Sequence, residues 1–124
     1  MATVLFIAED DPLLSRMYEK AFTLNGFDVK LSVDGDMVID TLKNMSPKPA
    51  VVVLDIMMPK KSGFDVLREM KGVEELQNIP VVFLSNLAGA EDMKRGLALG
   101  ASLYLIKSQY SPMEIVQKIK KVIE

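Results

Sequence analysis

Short runs of consecutive apolar residues alternate along this chain with longer segments whose apolar positions recur at helical spacing. Such alternation predicts βαβ units and a parallel sheet, because parallel strands are covered on both faces and need a crossover between them. Five runs read as strands: residues 4–8, 27–31, 50–54, 81–84 and 102–106. The run at 27–31 carries Asp28 and Lys30, which suits a sheet edge, while 4–8, 50–54 and 81–84 are apolar throughout and suit the centre. The expected architecture is α/β, a doubly wound five-stranded parallel sheet of flavodoxin-like order 2-1-3-4-5 with five helices.

The helices are punctuated by their own signals. Pro12 opens the first, whose inner stripe is expected to carry Leu14, Met17, Tyr18, Ala21 and Phe22, and Gly26 stops it. The second is expected over 36–44, closed off by Pro47 and Pro49, and the third over 64–71. The fourth, over 90–99, begins with Glu91 and Asp92, where carboxylates suit the helix dipole, and ends at Gly100. Ser111-Pro112-Met113-Glu114 is a capping box with proline at the first helical position, and it opens a last helix with Ile115, Val116, Ile119, Val122 and Ile123 inward.

Polar residues gather where the strands end. Glu9 and Asp10 follow the first, Asp55 the third, Ser85 the fourth and Lys107 the fifth. In a sheet of this order, ligands bind beyond the carboxyl ends of the strands where the order reverses, so the three carboxylates converge. Each close pair repels by about 4 kcal/mol at ~4 Å and an effective dielectric near ~20, so the acids keep protons or hold a cation. All-oxygen donors favour a hard divalent ion, and magnesium combines carboxylates with waters and a phosphate oxygen. Lys107 adds a positive charge and Ser85 a hydroxyl, both of which suit a phosphoryl group beside the metal.

Composition narrows the chemistry further. The chain has no cysteine and no histidine, which removes thiolate nucleophiles, imidazole ligands and Ser-His-Asp machinery. A formal charge of -2 gives no reason to expect a phosphate-backbone binder. With 124 residues and 49% hydrophobic content the expectation is one domain over 1–124, soluble and cytoplasmic, since the apolar runs are too short to span a bilayer.

The segment LDIMMPKKSG at 54–63 resembles the phosphoacceptor loop of response-regulator receiver domains, the CheY-like family of two-component phosphorelays. The resemblance extends from IAEDD at 7–11 through VVFLSN at 81–86 to GASLYLIK at 100–107. It implies that Asp55 receives the phosphoryl group, with Asp10 as direct metal ligand, Glu9 acting on the metal through water, and the Met57 backbone carbonyl as a further ligand. It implies magnesium as cofactor, with manganese able to replace it. Ser85 and Lys107 correspond to the residues that contact the phosphoryl oxygens, and Tyr104 to the aromatic whose rotamer follows the switch. The donor is then a sensor histidine kinase, a phosphotransfer protein or a small phosphodonor. The output is an unnamed protein bound at the face of helix 4, strand 5 and helix 5. Neither direct nucleic-acid binding nor membrane insertion is implied. A domain of this kind catalyses its own phosphorylation but serves as a signalling switch.

The chain departs from the family pattern in two respects. Ser108 stands where the family has proline after a cis bond, and the expectation is that the Lys107–Ser108 bond stays cis, held by Lys107 over the acids. Met57 and Leu87 occupy the positions that tune loss of the phosphoryl group to water, and neither orients a water. The competing readings are a pseudo-receiver that binds partners without phosphorylation, a flavodoxin-type electron carrier and a haloacid-dehalogenase-type phosphatase. The acidic loop after strand one disfavours the second, and Pro12 after Glu9-Asp10-Asp11 disfavours the third.

Overall fold

The computed structural model describes residues 2–124. The elements are β1 (Thr3–Ala8), α1 (Pro12–Leu24), β2 (Phe27–Ser32), α2 (Val38–Asn44), β3 (Val51–Leu54), α3 (Gly63–Lys71), β4 (Val81–Ser85), α4 (Ala90–Ala98), β5 (Leu103–Ile106) and α5 (Pro112–Ile123). The strands form one parallel sheet, as the alternation of elements predicts, in the expected flavodoxin-like order β2-β1-β3-β4-β5.

Successive side chains of a strand point to opposite faces, so each central strand feeds two cores. Phe6, Val52, Leu54, Phe83 and Tyr104 pack with Val38, Leu42, Val66, Leu67 and Met70 of α2 and α3. Leu5, Ile7, Val53, Leu84 and Leu105 pack with Tyr18 and Phe22 of α1 and with Ile115, Val116 and Ile119 of α5. Fully burying such a side chain contributes about 1.5–3 kcal/mol, which explains why residues 4–8, 51–54 and 81–84 are apolar at every position.

Register positions the functional end of the sheet. Ala8 lies beside Leu54, so Glu9 and Asp55 leave adjacent strands at the same level. Ser85 lies beside Ile106, so Lys107 emerges next to the serine.

Several sequence expectations need correction. Met17 is 41% exposed, and Ser15 takes a buried place beside Tyr18 and Phe22. The i, i+4 pair Tyr18 and Phe22 sets the inward direction of α1, and Met17 lies about 100° from Tyr18 around the helix, turned toward solvent. The segment expected as one helix over 36–44 begins with a 3₁₀ turn, Gly35–Met37, because the Asp34 side chain accepts from the Met37 N–H and tightens that first turn. Val122 and Ile123, expected inward, are only half-buried at the end of α5. Gly26 does terminate α1, with φ of 90° and its N–H donating to the Thr23 carbonyl.

The Lys107–Ser108 bond is trans; among the described residues the cis bond is Ser46–Pro47. Without proline a cis bond costs about 2.5–4 kcal/mol, and the chain avoids that by entering a short 3₁₀ turn, Lys107–Gln109. Lys107 still reaches the acids from this turn, so the expected constraint does not require the cis form.

Candidate functional site

Each loop of the site is shaped by local chemistry. Asp11 caps α1, its carboxylate accepting from the Leu13 and Leu14 N–H groups at 2.9 and 3.3 Å. The Asp11 N–H in turn donates to Glu9 Oε2 at 3.2 Å, which holds the glutamate side chain inward. The Asp55 N–H donates to the Ala8 carbonyl at 3.0 Å, tying the two acidic exits together. The loop from Ile56 to Ser62 folds back on the end of β3, where the Gly63 N–H donates to the Ile56 carbonyl at 2.8 Å. A Cβ on Gly63 would collide with the Asp55 carbonyl, so this close return requires glycine.

Glu9, Asp10 and Asp55 each offer a carboxylate oxygen, all within 4.8 Å of one another. Glu9 is 2% exposed and Asp55 7%, whereas Asp10 is open to solvent. Lys107 Nζ lies 2.9 Å from Asp55 Oδ2 and 2.5 Å from Glu9 Oε1. A single ammonium therefore serves two buried carboxylates, with a third beside them. Burial raises the Glu9 carboxyl to about 7, with the bond from Lys107 acting in the opposite direction. Burial alone would lower the Lys107 ammonium, but its bonds to Glu9 and Asp55 outweigh this and hold it above its usual value. The lysine is thus charged at neutral pH, and the excess negative charge falls on the acids.

A cavity of about 240 Å³ opens over this cluster, lined by Glu9, Asp10, Asp11, Leu14, Asp55, Met57, Ser85, Asn86 and Lys107. Ser85 is buried, its Oγ accepting from the Leu87 N–H at 3.1 Å. The Met57 side chain is 67% exposed. Tyr104 does not line the cavity; it is buried behind Ser85, its ring 6.0 Å from that of Phe83 and its hydroxyl donating to the Leu87 carbonyl at 2.7 Å.

The structure therefore brings together Glu9, Asp10, Asp55, Ser85 and Lys107, and leaves Tyr104 one layer behind. The sequence reading missed the second partner of Lys107, since nothing local says that Glu9 turns inward. It also missed Gly63 as the residue that admits the return of the loop, although a glycine eight residues after an acidic strand end was there to be questioned.

Residues 5–120 match the response regulator receiver domain family. The chain belongs to that family. It is 34% identical over 122 residues to the phosphate regulon transcriptional regulatory protein PhoB of Escherichia coli (strain K12), covering 98% of this chain and 52% of that protein. The receiver chain thus spans about half the length of the curated relatives it matches. Its fold is similar to that of the chemotaxis response regulator CheY4 of Vibrio cholerae, with a TM-score of 0.89 at 19% identity, covering 98% of this chain and 99% of that one. It is also similar to the phosphorylated cyanobacterial phytochrome response regulator RcpA, with a TM-score of 0.85 at 26% identity, covering 98% of this chain and 93% of that one. As a receiver domain of two-component response regulators, the chain has the CheY-like order and an acidic cluster suited to a metal ion. Among the described residues no helix is long and apolar enough to cross a membrane.

Proposed function

We propose that Asp55 accepts a phosphoryl group from a histidine kinase, a phosphotransfer protein or a small phosphodonor. The observation that carries this reading is the set of three carboxylates within 4.8 Å served by one lysine at the mouth of a solvent-open cavity. The donors fit a hard divalent ion: all are oxygens, and their charge exceeds what Lys107 neutralises. Asp10 and Asp55 directly, Glu9 through water, and the Met57 carbonyl would hold magnesium or manganese. Such an ion supplies charge neutralisation between an aspartate and incoming phosphate oxygens.

An Asp55 carboxylate oxygen attacks phosphorus in line, the P–O bond to the leaving group breaks, and with acetyl phosphate the leaving group departs as acetate. Lys107 exchanges its bond to Asp55 for one to a phosphoryl oxygen. The Ser85 hydroxyl turns toward the same group, releases the Leu87 N–H and disturbs the segment whose carbonyl holds Tyr104. That biases Tyr104 and residues 88–96 toward a second arrangement, read by an output partner at the face of α4, β5 and α5. The phosphorylated state of RcpA, a structural relative, supports the chemistry. The acidic cluster paired with Lys107 supports phosphoryl transfer over a constitutive binding role.

Intact-mass measurement after incubation with acetyl phosphate and magnesium tests the assignment: one phosphoryl adduct is expected, absent in Asp55→Asn and without a divalent ion. An adduct of equal yield in Asp55→Asn overturns it. Met57 lines the cavity and Leu87 packs against the neighbouring core, and neither side chain can orient a water, so the adduct should decay slowly, and Leu87→Glu with Met57→Asn should accelerate its loss.

A further inference from the structure

β2 contributes no side chain to the acidic cavity, yet the segment that follows it touches both acidic exits. The Glu9 N–H donates to the Ser32 carbonyl at 3.0 Å. Ser32 Oγ donates to the Asp34 carbonyl at 3.1 Å. The Gly35 N–H donates to the Pro59 carbonyl at 3.3 Å, inside the loop that leaves Asp55, and Asp34 Oδ2 lies 3.7 Å from Lys60 Nζ. Residues 32–35 therefore stitch the exit of β1 to the loop after β3.

The stitched point is unusual in its backbone. The Lys61 N–H donates to the Pro59 carbonyl at 2.8 Å across Lys60, whose φ is 70°. A bond from residue i+2 to residue i around a positive φ is the less common, strained kind of γ-turn, and a residue with a long side chain adopts it only when its surroundings impose it. The Pro59 carbonyl accepts from both Lys61 and Gly35, so the turn is pinned from across the gap. Gly35 is buried, and a Cβ there would overlap the Lys61 carbonyl oxygen. That contact is backbone against side-chain root, so no rotamer change relieves it. Gly35 itself is not in the left-handed region, so substitution there acts through the contact alone.

We propose that Gly35 and the left-handed turn at Lys60 are positioning residues, which set the height of the loop carrying the Met57 carbonyl and so tune divalent-cation binding beside Asp55. The proposal rests on the reading of Asp55 as a metal-assisted phosphoacceptor. Outer partners of metal ligands typically matter by about 10- to 100-fold in affinity, which is the scale expected for displacing this loop.

The test is a magnesium titration of the unphosphorylated protein by calorimetry, with thermal unfolding recorded alongside. Gly35→Ala and Lys60→Val should each weaken magnesium binding by about tenfold, the first by pushing on the loop and the second because a β-branched residue resists positive φ. Lys60→Gly removes the same ammonium but permits the turn, and should bind magnesium within about twofold of the original protein. Lys60 is exposed, so the Val and Gly variants decide the matter even if Gly35→Ala fails to fold. Unchanged affinity in Lys60→Val overturns the proposal, as does equal weakening in Lys60→Gly, which would assign the effect to the charge. Absence of magnesium binding in the original protein also overturns it. Magnesium binding with the expected variant pattern but no adduct at Asp55 would leave the brace standing and refute the phosphoacceptor reading, whereas an adduct with unaltered binding in Lys60→Val would do the reverse.

Discussion

Helices α4 and α5 pack against opposite faces of the same edge strand, β5, and are secured by contrasting means. α5 opens on a complete capping box: the Glu114 N–H donates to Ser111 Oγ at 3.2 Å, and the Ser111 N–H donates to Glu114 Oε1 at 2.9 Å. It then buries Ile115, Val116 and Ile119. α4 starts at Gly89 without a side-chain cap and buries only Gly96. A Cβ on Gly96 would meet Phe83 at 3.0 Å and Tyr104 at 3.1 Å, so α4 lies close against the sheet there by having no side chain. Arg95 adds one outer clasp, its guanidinium 4.3 Å from the centre of the Phe64 ring. The helix beside Ser85, Leu87 and Tyr104 is thus the weakly anchored one. The phosphorylation proposed at Asp55 would, at modest energy, move such an element more readily than one that buries three aliphatic side chains.

Core truncation sharpens that contrast most. Ile119→Ala should destabilise the fold by about 2–5 kcal/mol, whereas Met93→Ala, at a half-buried position of α4, should cost about 1 kcal/mol or less. Equal losses in denaturant unfolding would erase the distinction. Next in size is the hydroxyl that ties β5 to the segment before α4. Tyr104→Phe removes its bond to the Leu87 carbonyl, worth about 0.5–1.5 kcal/mol, and amide exchange in 88–96 should quicken while α5 remains protected.

Smaller again is the capping box. Ser111→Ala should cost about 1 kcal/mol, read as a lower unfolding midpoint. Its pH dependence has a definite sign. The Ser111 backbone N–H holds the Glu114 carboxyl below its ordinary value, with the Ser111 side chain adding to the effect. That stabilisation is therefore complete above the ordinary carboxyl value and fades as pH falls through the lowered one. Comparison of acid unfolding should show Glu114→Gln, which has no carboxyl to protonate, losing less stability than the original protein over that range. The smallest effect expected is from Gly89→Ser, which supplies α4 with the missing cap and should stabilise by a few tenths of a kcal/mol.

Much of this receiver domain is written locally. Strand identity follows from continuous apolar runs, helix starts from Pro12 and the Ser111 box, and the acidic exits from their adjacency to those runs. Local propensity and burial act over a few residues, so the order of elements and the presence of Glu9, Asp10, Asp55, Ser85 and Lys107 at strand ends were determined by the sequence itself. What only the tertiary structure decided are relations between residues far apart in the chain. Lys107 divides its charge between Asp55 and Glu9, 52 and 98 positions away in a chain whose sheet register brings them level. Ser108 admits a trans bond because a 3₁₀ turn delivers the lysine anyway. Gly35 bonds to Pro59, and Tyr104 to the Leu87 carbonyl, across loops whose separation is set by packing of whole helices on the sheet. These distances depend on the summed packing of both cores, and no short window of sequence carries that sum.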